Sequence, residues 1–368
     1  MPFSSFHGNS AILQRMREAM AHDRFPHGVI LAGPPGAGKY TLALMLAQAM
    51  NCLAPPPRDL TAGSLPDFCG VCDNCRRIAL SSDLEAKIAD ALEARDALRE
   101  TDKKETRLFI QTYPDLLVIP PDPPQNMIKV DQVRHVISNI YYRPSEGKER
   151  VYIFTDSAFM KEAANSLLKV LEEPPDFATI LLLTENAGEL LPTIRSRCVT
   201  FTLAPLEASE IDRYLSTHRS DCTPKQRALI ANLSGGAIGR AVRFDLATYS
   251  AARSHALILL SSALENREHT ELFKVTETYR AGADGRDKTE QLLRALYSVL
   301  QDLLWIVEGT PEMVRNSDIL QDLKRLSAHT GFEWLAMASA RLAEVERGMR
   351  RNLLRSLSLD AFATALQA

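Results

Sequence analysis

The amino-acid sequence predicts an α/β domain followed by an all-helical region, and three observations lead to this prediction. Apolar runs typical of buried strands occur at 27–32, 115–119, 151–155 and 178–184. Segments with helical periodicity, at 131–140 and 161–171, lie between the later strands. After about residue 203 no further strand pattern is found, and helical patterns continue towards the C-terminus. Strands that alternate with helices favour a parallel sheet covered on both faces.

Length and composition narrow the class of protein further. The 368 residues suffice for two or three domains. Lys and Arg number 43 and Asp and Glu number 46, a formal net charge of −3, which excludes a globally basic protein that coats nucleic acid. Hydrophobic residues at 45% exclude wholesale disorder. No apolar run approaches the ~20 residues that span a membrane, and the N-terminus lacks a secretory-signal pattern, so we expect a cytoplasmic protein.

The predicted elements follow one another in a definite order. A short helix over 11–22 precedes the first strand, and a second helix covers 41–51. A proline-rich loop at 53–67 leads to an Ala/Glu-rich stretch at about 83–105, where apolar residues step by four and predict one solvated amphipathic helix. In the C-terminal region helical composition covers 332–366. Before it lies an apolar helical stripe of Leu292, Leu296, Leu300, Leu303 and Leu304.

A glycine-rich segment connects the first predicted strand to the helix at 41–51. It reads GPPGAGKYT from Gly33 to Thr41, and we call it the phosphate loop. Glycines let backbone N–H groups approach phosphate oxygens, while a helix N-terminus and a lysine add positive charge. The sequence therefore predicts phosphate binding by Gly33, Gly36, Gly38 and Lys39, and a turn without a ligand is the alternative.

One position of this loop departs from the usual pattern. The residue after the lysine is normally Ser or Thr, whose hydroxyl binds Mg²⁺, but here it is Tyr40. Thr41 has a suitable hydroxyl, yet it lies one residue later and is rotated by about 100° around the helix. We therefore expect the loop to retain phosphate-binding geometry and to have a weakened metal site.

Four of the six cysteines form a group with the spacing C-x16-C-x2-C-x2-C, namely Cys52, Cys69, Cys72 and Cys75. Closely spaced thiolates with a fourth from outside favour the closed tetrahedral site of a structural Zn²⁺. An iron–sulfur cluster is an alternative, and so is a redox dithiol, which leaves two cysteines without a role. Cys198 and Cys222 are isolated, and we expect packed thiols there.

Two further motifs join the phosphate loop and the cysteines: VYIFTDSAFMKEAANSLLKVLEEPP at 151–175 and TIRSRC at 193–198. With them the sequence resembles bacterial DNA polymerase III clamp-loader subunits over residues 1 to about 245, most closely those of the delta prime type. The resemblance implies an AAA+ P-loop domain at 1–204 with a zinc-binding module inserted at 52–75. It also implies a small helical lid domain at 205–247 and an all-α collar domain at 248–368. The helix at 83–105 looks like an insertion relative to shorter members.

The same resemblance implies partners and a division of labour. The expected partners are gamma/tau and delta subunits in a five-membered ring, the sliding clamp and primed DNA, with no membrane. Motor subunits carry Asp-Glu where this sequence has Thr155-Asp156. Thr155 brings no negative charge to the metal ion, and Asp156 is one methylene shorter than the glutamate that activates the attacking water. We therefore expect an isolated chain without ATPase activity, in which ATP or ADP binds weakly or not at all. The alternative for Asp156 is an ordinary structural role, as a strand-end cap or a salt-bridge partner.

Individual positions also acquire roles from the resemblance. Arg197 matches the arginine that reaches the γ-phosphate of a neighbouring subunit and acts there in trans. Thr184 matches the sensor-1 position and Arg240, in GGAIGRAV, matches the sensor-2 arginine of the lid. The implied degenerate nucleotide site comprises Gly33, Gly36, Gly38, Lys39, Thr41, Asp156, Thr184 and Arg240. The alternatives are an active gamma/tau-like ATPase and an unrelated zinc-containing nucleotide-binding protein.

Overall fold

The computed structural model describes residues 2–57, 65–264, 270–279, 283–349 and 354–366. The chain folds into two units. The first consists of the described residues of Met1–Leu206 with Ala237–Gly239, and the second of those of Glu207–Gly236 with Arg240–Ala368. Part of the loop predicted at 53–67, residues 58–64, lies outside the described residues, as do residues 350–353 of the helical stretch predicted at 332–366.

The first unit contains a six-stranded sheet with the strand order β2-β3-β4-β5-β1-β6. Its strands are β1 Gly28–Ala32, β2 Ile110–Tyr113, β3 Leu116–Ile119, β4 Arg150–Phe154, β5 Ala178–Thr184 and β6 Val199–Thr202. Every neighbouring pair is parallel except β2 and β3. The sheet is therefore parallel apart from one antiparallel strand at an edge.

The central strands are buried because helices cover both faces of the sheet. All residues of β1 and β5 are buried. Successive side chains of β1 alternate, so that Val29 and Leu31 join the apolar core on one face and Ile30 and Ala32 the core on the other. Continuous apolar runs are what a doubly covered parallel sheet requires.

The helices of the first unit are α1 Ser10–Ala21, α2 Lys39–Asn51, α3 Asp73–Ala79, α4 Leu84–Asp96, α5 Glu100–Glu105, α6 Val130–Asn139, α7 Lys161–Glu172 and α8 Pro192–Arg195. Four of them, α1, α2, α6 and α7, lie close to predicted positions, whereas α3 and α8 have no predicted counterpart. Short 3₁₀ helices occur at Phe3–Ser5 and Ala187–Glu189. The side chains of α1 and α2 pack on one face of the sheet, and those of α6 and α7 pack on the other.

Three expectations require correction. The sheet is not wholly parallel, because a two-residue turn at Pro114 and Asp115 folds β2 back onto β3. The strand β6 has no predicted counterpart, because three of its four residues are exposed and give no buried run. The single helix predicted at 83–105 is two helices with a break at 97–99. Since α4 buries no side chain, packing does not support a longer helix.

The second unit is built from helices, and no strand is found among its described residues. The helices that follow β6 are α9 Ala208–His218, α10 Pro224–Leu233, α11 Ile238–Val242, α12 Leu246–Leu264, α13 Thr270–Glu277, α14 Ala283–Val307, α15 Leu320–Ser327, α16 Phe332–Met349 and α17 Arg355–Ala365, with 3₁₀ helices at Pro311–Met313 and Ser317–Ile319. The predicted leucine stripe lies on α14. Four of its residues are buried in one large core, and Leu304 packs against that core. The division at 247 into lid and collar stays a prediction.

A helix that crosses a lipid bilayer must be both long and apolar. None of the described helices meets both requirements.

Candidate functional site

The phosphate loop connects β1 to α2, as the sequence predicts. Gly33, Gly36 and Gly38 have positive φ angles of 147°, 81° and 89°, a region that residues with a side chain rarely adopt. A Cβ atom on Gly33 would lie 2.7 Å from the carbonyl oxygen of Leu203. The glycines are therefore required by backbone conformation and, at Gly33, by close approach to a neighbouring segment.

Lys39, the first residue of α2, is bonded to its own loop. Its Nζ atom donates to the carbonyl oxygens of Gly33 at 2.6 Å and Pro34 at 3.0 Å. Burial lowers the pKa of Lys39, and nearby carboxylates oppose this effect. These carboxylates belong to Glu185, Asp156 and Glu189. The ammonium group of Lys39, which would attract a phosphate, is thus bonded to loop carbonyls and lies near three carboxylates.

A cavity of about 630 Å³ lies beside Lys39. Its lining is formed by Pro35, Lys39, Thr155, Asp156, Ser157, Ala158, Phe159, Leu183, Thr184, Glu185 and Glu189. Thr184 ends β5, and its hydroxyl lies within 3.0 Å of the carbonyl oxygen of Asn186 and of the Glu189 carboxylate. The hydroxyl of Ser157 donates to the same carboxylate at 2.7 Å. The predicted sensor-1 residue therefore belongs to a polar network on the cavity wall.

Tyr40 points away from the phosphate loop. Its hydroxyl donates a 2.7 Å hydrogen bond to the carbonyl oxygen of Ser81, just beyond α3, and burial raises its pKa. The Ser81 hydroxyl in turn bonds the hydroxyl of Thr112 on β2 at 2.7 Å. Thr41 is exposed on the first turn of α2. The hydroxyl at the position that would bind Mg²⁺ is therefore used to join two parts of the fold.

Thr155 and Asp156 follow β4 and line the cavity. The carboxylate of Asp156 accepts a 2.8 Å hydrogen bond from the backbone N–H of Ala158, two residues later. The backbone N–H of Thr155 donates to the carbonyl of Ile119, which extends the pairing of β3 with β4 by one residue. The carboxylate of Asp156 therefore bonds the turn that follows β4.

The four cysteines predicted to bind a metal come together. Their Sγ atoms all lie within 4.8 Å of one another. Cys52 directly follows α2, Cys72 immediately precedes α3 and Cys75 lies within α3. Cys52 and Cys75 are buried and the other two are partly buried. This arrangement could hold a metal ion.

Backbone N–H groups bond the thiols of this group. The Sγ atom of Cys69 accepts from the N–H groups of Val71 at 3.5 Å and Cys72 at 3.2 Å. These contacts, that of Val71 above all, lower the pKa of Cys69 to about 6. Burial raises the pKa of Cys75. Sulfur atoms in a cradle of N–H donors are a donor set suited to a thiolate-bound ion.

Amide side chains attach the cysteine module, residues 52–75, to the sheet domain. Gln48 on α2 donates to the carbonyl of Cys75 at 2.8 Å. Asn74 donates to the carbonyl of Asn51 and to the hydroxyl of Tyr113, both at 3.0 Å. Side chains of the module also share the buried core of α2. The module is therefore part of the domain rather than a loosely attached insertion.

A buried carboxylate fixes the loop before β4. Asp115 accepts hydrogen bonds from the backbone N–H groups of Ser145, Glu146 and Gly147 at 2.8–2.9 Å. Burial by itself would raise its pKa, but these N–H groups outweigh burial and hold the pKa of Asp115 below its usual value. The Arg150 guanidinium lies 3.9 Å from the same carboxylate.

Arg197 lies between α8 and β6, with its side chain one-third exposed. One terminal nitrogen donates to the carbonyl of Thr193 at 2.9 Å and to the hydroxyl of Ser196 at 3.3 Å. The other forms an ion pair and hydrogen bond with Glu172, the last residue of α7. The predicted trans arginine is therefore at the surface and held by its own chain.

The remaining predicted residues are placed as follows. Arg240 is exposed on α11 in the second unit. Cys198 packs against Gly28, and burial raises the pKa of its thiol to about 12, as expected for a packed cysteine. Cys222 is half-buried beside Arg219.

Several residues of these sites carried no predicted role. Glu172 lies within the LEEPP segment used for the resemblance, and its charge and position after a helical run gave the only signal. Ser157 and Glu189 contact Thr184 from other segments of the chain, and no sequence motif predicts these contacts. The module anchors Gln48, Asn74 and Ser81 are ordinary polar residues with no motif around them.

The chain is similar in sequence to known proteins over much of its length. The family model described as "DNA polymerase III, delta subunit" matches residues 8–207, more than half of the chain. The tau subunit of DNA polymerase III from Escherichia coli strain K12 is 26% identical over 348 residues, which is 94% of this chain and 43% of that protein. This chain therefore spans less than half of the length of that relative.

Relatives named delta prime also match. The delta prime subunit of Bacillus subtilis strain 168 is 26% identical over 315 residues, 85% of this chain and 82% of that protein. That of Pseudomonas aeruginosa is 31% identical over 174 residues, 47% of this chain and 42% of that protein. A solved gamma subunit-related protein from Thermotoga maritima aligns with a TM-score of 0.44 and 18% identity, covering 96% of this chain and 98% of that one. From the family match over residues 8–207, this chain belongs to the clamp-loader family of DNA polymerase III subunits.

Proposed function

We propose that this chain is a clamp-loader subunit of the delta prime type, which does not hydrolyse ATP and supplies Arg197 to the nucleotide of a neighbouring subunit. In this proposal it joins gamma/tau and delta subunits in a five-membered ring in the cytoplasm. The ring loads the sliding clamp on primed DNA. The observation that carries the proposal is the hydrogen bond from Tyr40 to Ser81. Because of this bond, the side chain at the position that normally binds the metal is used within the fold.

The second metal position is weakened as well. Thr155 brings no negative charge, and the carboxylate of Asp156 bonds its own turn at Ala158. An attacking water needs both a base and a metal-bound triphosphate in line with it. With both features weakened, we infer that the isolated chain hydrolyses no ATP.

The electrostatics of the loop support weak nucleotide binding. Lys39 donates to two carbonyls of its own loop, and a phosphate would have to displace these contacts. Three carboxylates surround the lysine, and without a metal ion they repel the negative charges of a triphosphate. We therefore propose that ATP and ADP bind weakly or not at all at Gly33, Gly36, Gly38, Lys39 and Thr41.

The cysteine module fits one Zn²⁺ ion held by Cys52, Cys69, Cys72 and Cys75. A tetrahedral zinc with Zn–S bonds of about 2.3 Å needs sulfur atoms ~3.8 Å apart, and the present sulfurs lie within 4.8 Å of one another. In a [4Fe–4S] cluster each thiolate binds a different iron, and in a [2Fe–2S] cluster the four thiolates are divided between two irons, so sulfurs bound to different irons would stand farther apart. Four protein ligands leave no position for a substrate, so the zinc would supply structural rigidity.

For the helical region we propose the lid at 205–247, with Arg240 in the sensor-2 role, and the collar at 248–368. Thr184 takes the sensor-1 role in the same proposal. The buried core of α12 and α14 supports a rigid helical platform, as a collar requires.

An active gamma/tau-like motor is the second candidate. The match to the tau subunit over 94% of this chain and the retained Lys39 favour it. The two candidates differ in ATP hydrolysis by the isolated chain, which only the motor performs.

The role of Arg197 can be tested in reconstituted complexes. Motor subunits whose own trans arginines are replaced by alanine leave Arg197 as the source of this group. We expect Arg197→Ala to lower ATP turnover on primed DNA with clamp at least ~10³-fold, in line with the smaller effects seen for such arginines. Arg197→Lys should rescue little, because lysine lacks the planar fork that engages two oxygens. Arg195→Ala is the matched control and should turn over like the wild type. Complexes that assemble and hydrolyse ATP normally with Arg197→Ala would refute the proposal.

A further inference from the structure

The side chain of Arg197 is held in one orientation by two elements of its own chain. One terminal nitrogen donates to the carbonyl of Thr193, on α8, and to the hydroxyl of Ser196, which follows α8. The other pairs with Glu172 at the end of α7. These contacts use three of the five N–H donors of the guanidinium, whose side chain is one-third exposed.

The backbones that carry the two partners are anchored at a common point. Gly28, at the start of β1, packs against the Cys198 thiol and the Leu171 side chain, where an added Cβ would lie 3.0 Å and 3.2 Å from their nearest atoms. Cys198 follows Arg197 and Leu171 precedes Glu172. Leu171 is buried, and so is Ile194 of α8. The charged pair is thus flanked by buried, closely packed residues, although its own side chains face solvent.

We propose that Glu172 is a positioning residue for Arg197, which fixes the guanidinium in the orientation used in trans. This inference rests on the proposed function of Arg197. An unpaired surface arginine samples many rotamers, and only a few of them would point at a phosphate on another subunit. The Glu172 carboxylate restricts the rotamers of Arg197 before the subunits meet. The entropy cost of orienting the guanidinium is then not part of the activation barrier of the reaction.

The chain offers a matched control. Glu173 has the same charge and is exposed next to Glu172, and no ion pair of its carboxylate is found in the described part of the chain. Glu173→Gln changes the net charge as Glu172→Gln does, without touching Arg197. Glu172→Gln keeps an oxygen acceptor, whereas Glu172→Ala removes it.

The test uses the reconstituted complex in which Arg197 supplies the trans arginine, with ATP, clamp and primed DNA. We expect Glu172→Ala to lower kcat about 10-fold with the KM for ATP unchanged, since a trans arginine acts mainly in the transition state. Glu172→Gln should recover part of the loss, and Glu173→Gln should match the wild type. In the Arg197→Ala background, Glu172→Ala should add no further loss.

Four results would overturn the inference. They are a kcat for Glu172→Ala equal to that of Glu173→Gln, a rise in kcat, a change confined to KM, and an equal further loss in the Arg197→Ala background. If Arg197→Ala itself has no effect, the proposed function fails and this inference with it. A loss for Arg197→Ala without one for Glu172→Ala refutes the positioning role alone. Thermal unfolding of each isolated variant confirms that the exposed substitutions leave the fold intact.

Discussion

The hydroxyl of Tyr40 lies 2.7 Å from the carbonyl oxygen of Ser81, forty-one residues later in the chain. One is at the start of the helix that follows the phosphate loop, and the other is just beyond the helix that carries Cys75. The residue that departs from the phosphate-loop pattern therefore makes a hydrogen bond within the fold, and we expect its replacement to affect both stability and nucleotide binding.

Removing this hydroxyl should weaken the fold without creating an ATPase. Tyr40→Phe keeps the ring and leaves the Ser81 carbonyl without its donor, so we expect a loss of about 1 kcal/mol in the free energy of unfolding. Urea denaturation measures the change. The exposed Tyr142→Phe serves as control and should be neutral. Equal stability of Tyr40→Phe and the wild type would show that the hydrogen bond contributes nothing.

Restoring the metal ligands should restore binding of Mg·ATP. We expect Tyr40→Thr with Thr155→Asp to bind ATP only when Mg²⁺ is present, because both changes supply oxygen ligands to the same ion. Isothermal titration calorimetry with and without Mg²⁺ measures this. Turnover should stay at background, as in the wild type. Robust hydrolysis by the wild-type chain that disappears on Lys39→Ala would instead identify an active motor.

We expect the zinc content of the protein to depend on the four clustered cysteines. Protein purified without chelators should contain about one zinc per chain, because four thiolates complete a tetrahedral site. Cys75→Ser should lose the zinc and lower the thermal midpoint by several degrees, since its neutral hydroxyl replaces a buried thiolate. Cys222→Ser, outside the cluster, should keep both. A metal-free wild type with four reactive thiols would contradict the zinc assignment.

Asp115 should contribute stability that depends on pH. Its pKa is lowered in the folded chain, so its contribution is complete above the unfolded value of about 3.9 and is lost as pH falls towards the folded pKa. We expect Asp115→Asn to cost about 2 kcal/mol at pH 7, because an amide accepts fewer hydrogen bonds than a carboxylate. The difference from the wild type should shrink below pH 4. Tyr113, Tyr152 and Arg150 are other titratable groups close to this carboxylate.

Urea denaturation at pH 7 and at pH 3.5 measures this effect, with the exposed Asp176→Asn as control. A destabilisation of Asp115→Asn that is the same at pH 7 and pH 3.5 would show that the carboxylate charge is not its cause.

The fold could be predicted where burial leaves a strong mark on the sequence. The apolar run of β5 gives its boundaries to the residue, because the strand is covered on both faces. By contrast β2 and β6 lie at the two edges, have four residues each and include exposed positions. Such strands depend on pairing with a neighbour, and a pattern of side chains cannot report it.

The candidate sites divide in the same way. The phosphate loop and the cysteine group are local patterns, and spacing alone predicted the position of the loop between β1 and α2 and the convergence of the four sulfurs. The pairing of Glu172 with Arg197 joins residues twenty-five positions apart, and the bond of Tyr40 to Ser81 spans even more of the chain. These contacts depend on how helices dock on the sheet, which the sequence of either partner does not encode locally.

The helix α2 sets the distance between the phosphate loop and the cysteine cluster. It starts at Lys39 of the phosphate loop and ends one residue before Cys52, so its thirteen residues set a spacing of about 20 Å. Deleting one residue from its middle would rotate one end against the other by about 100°, which would take Tyr40 off Ser81 or Cys52 off its partner sulfurs. We therefore expect changes of length to be rejected within α2, as a scan of single-residue deletions along this helix would reveal.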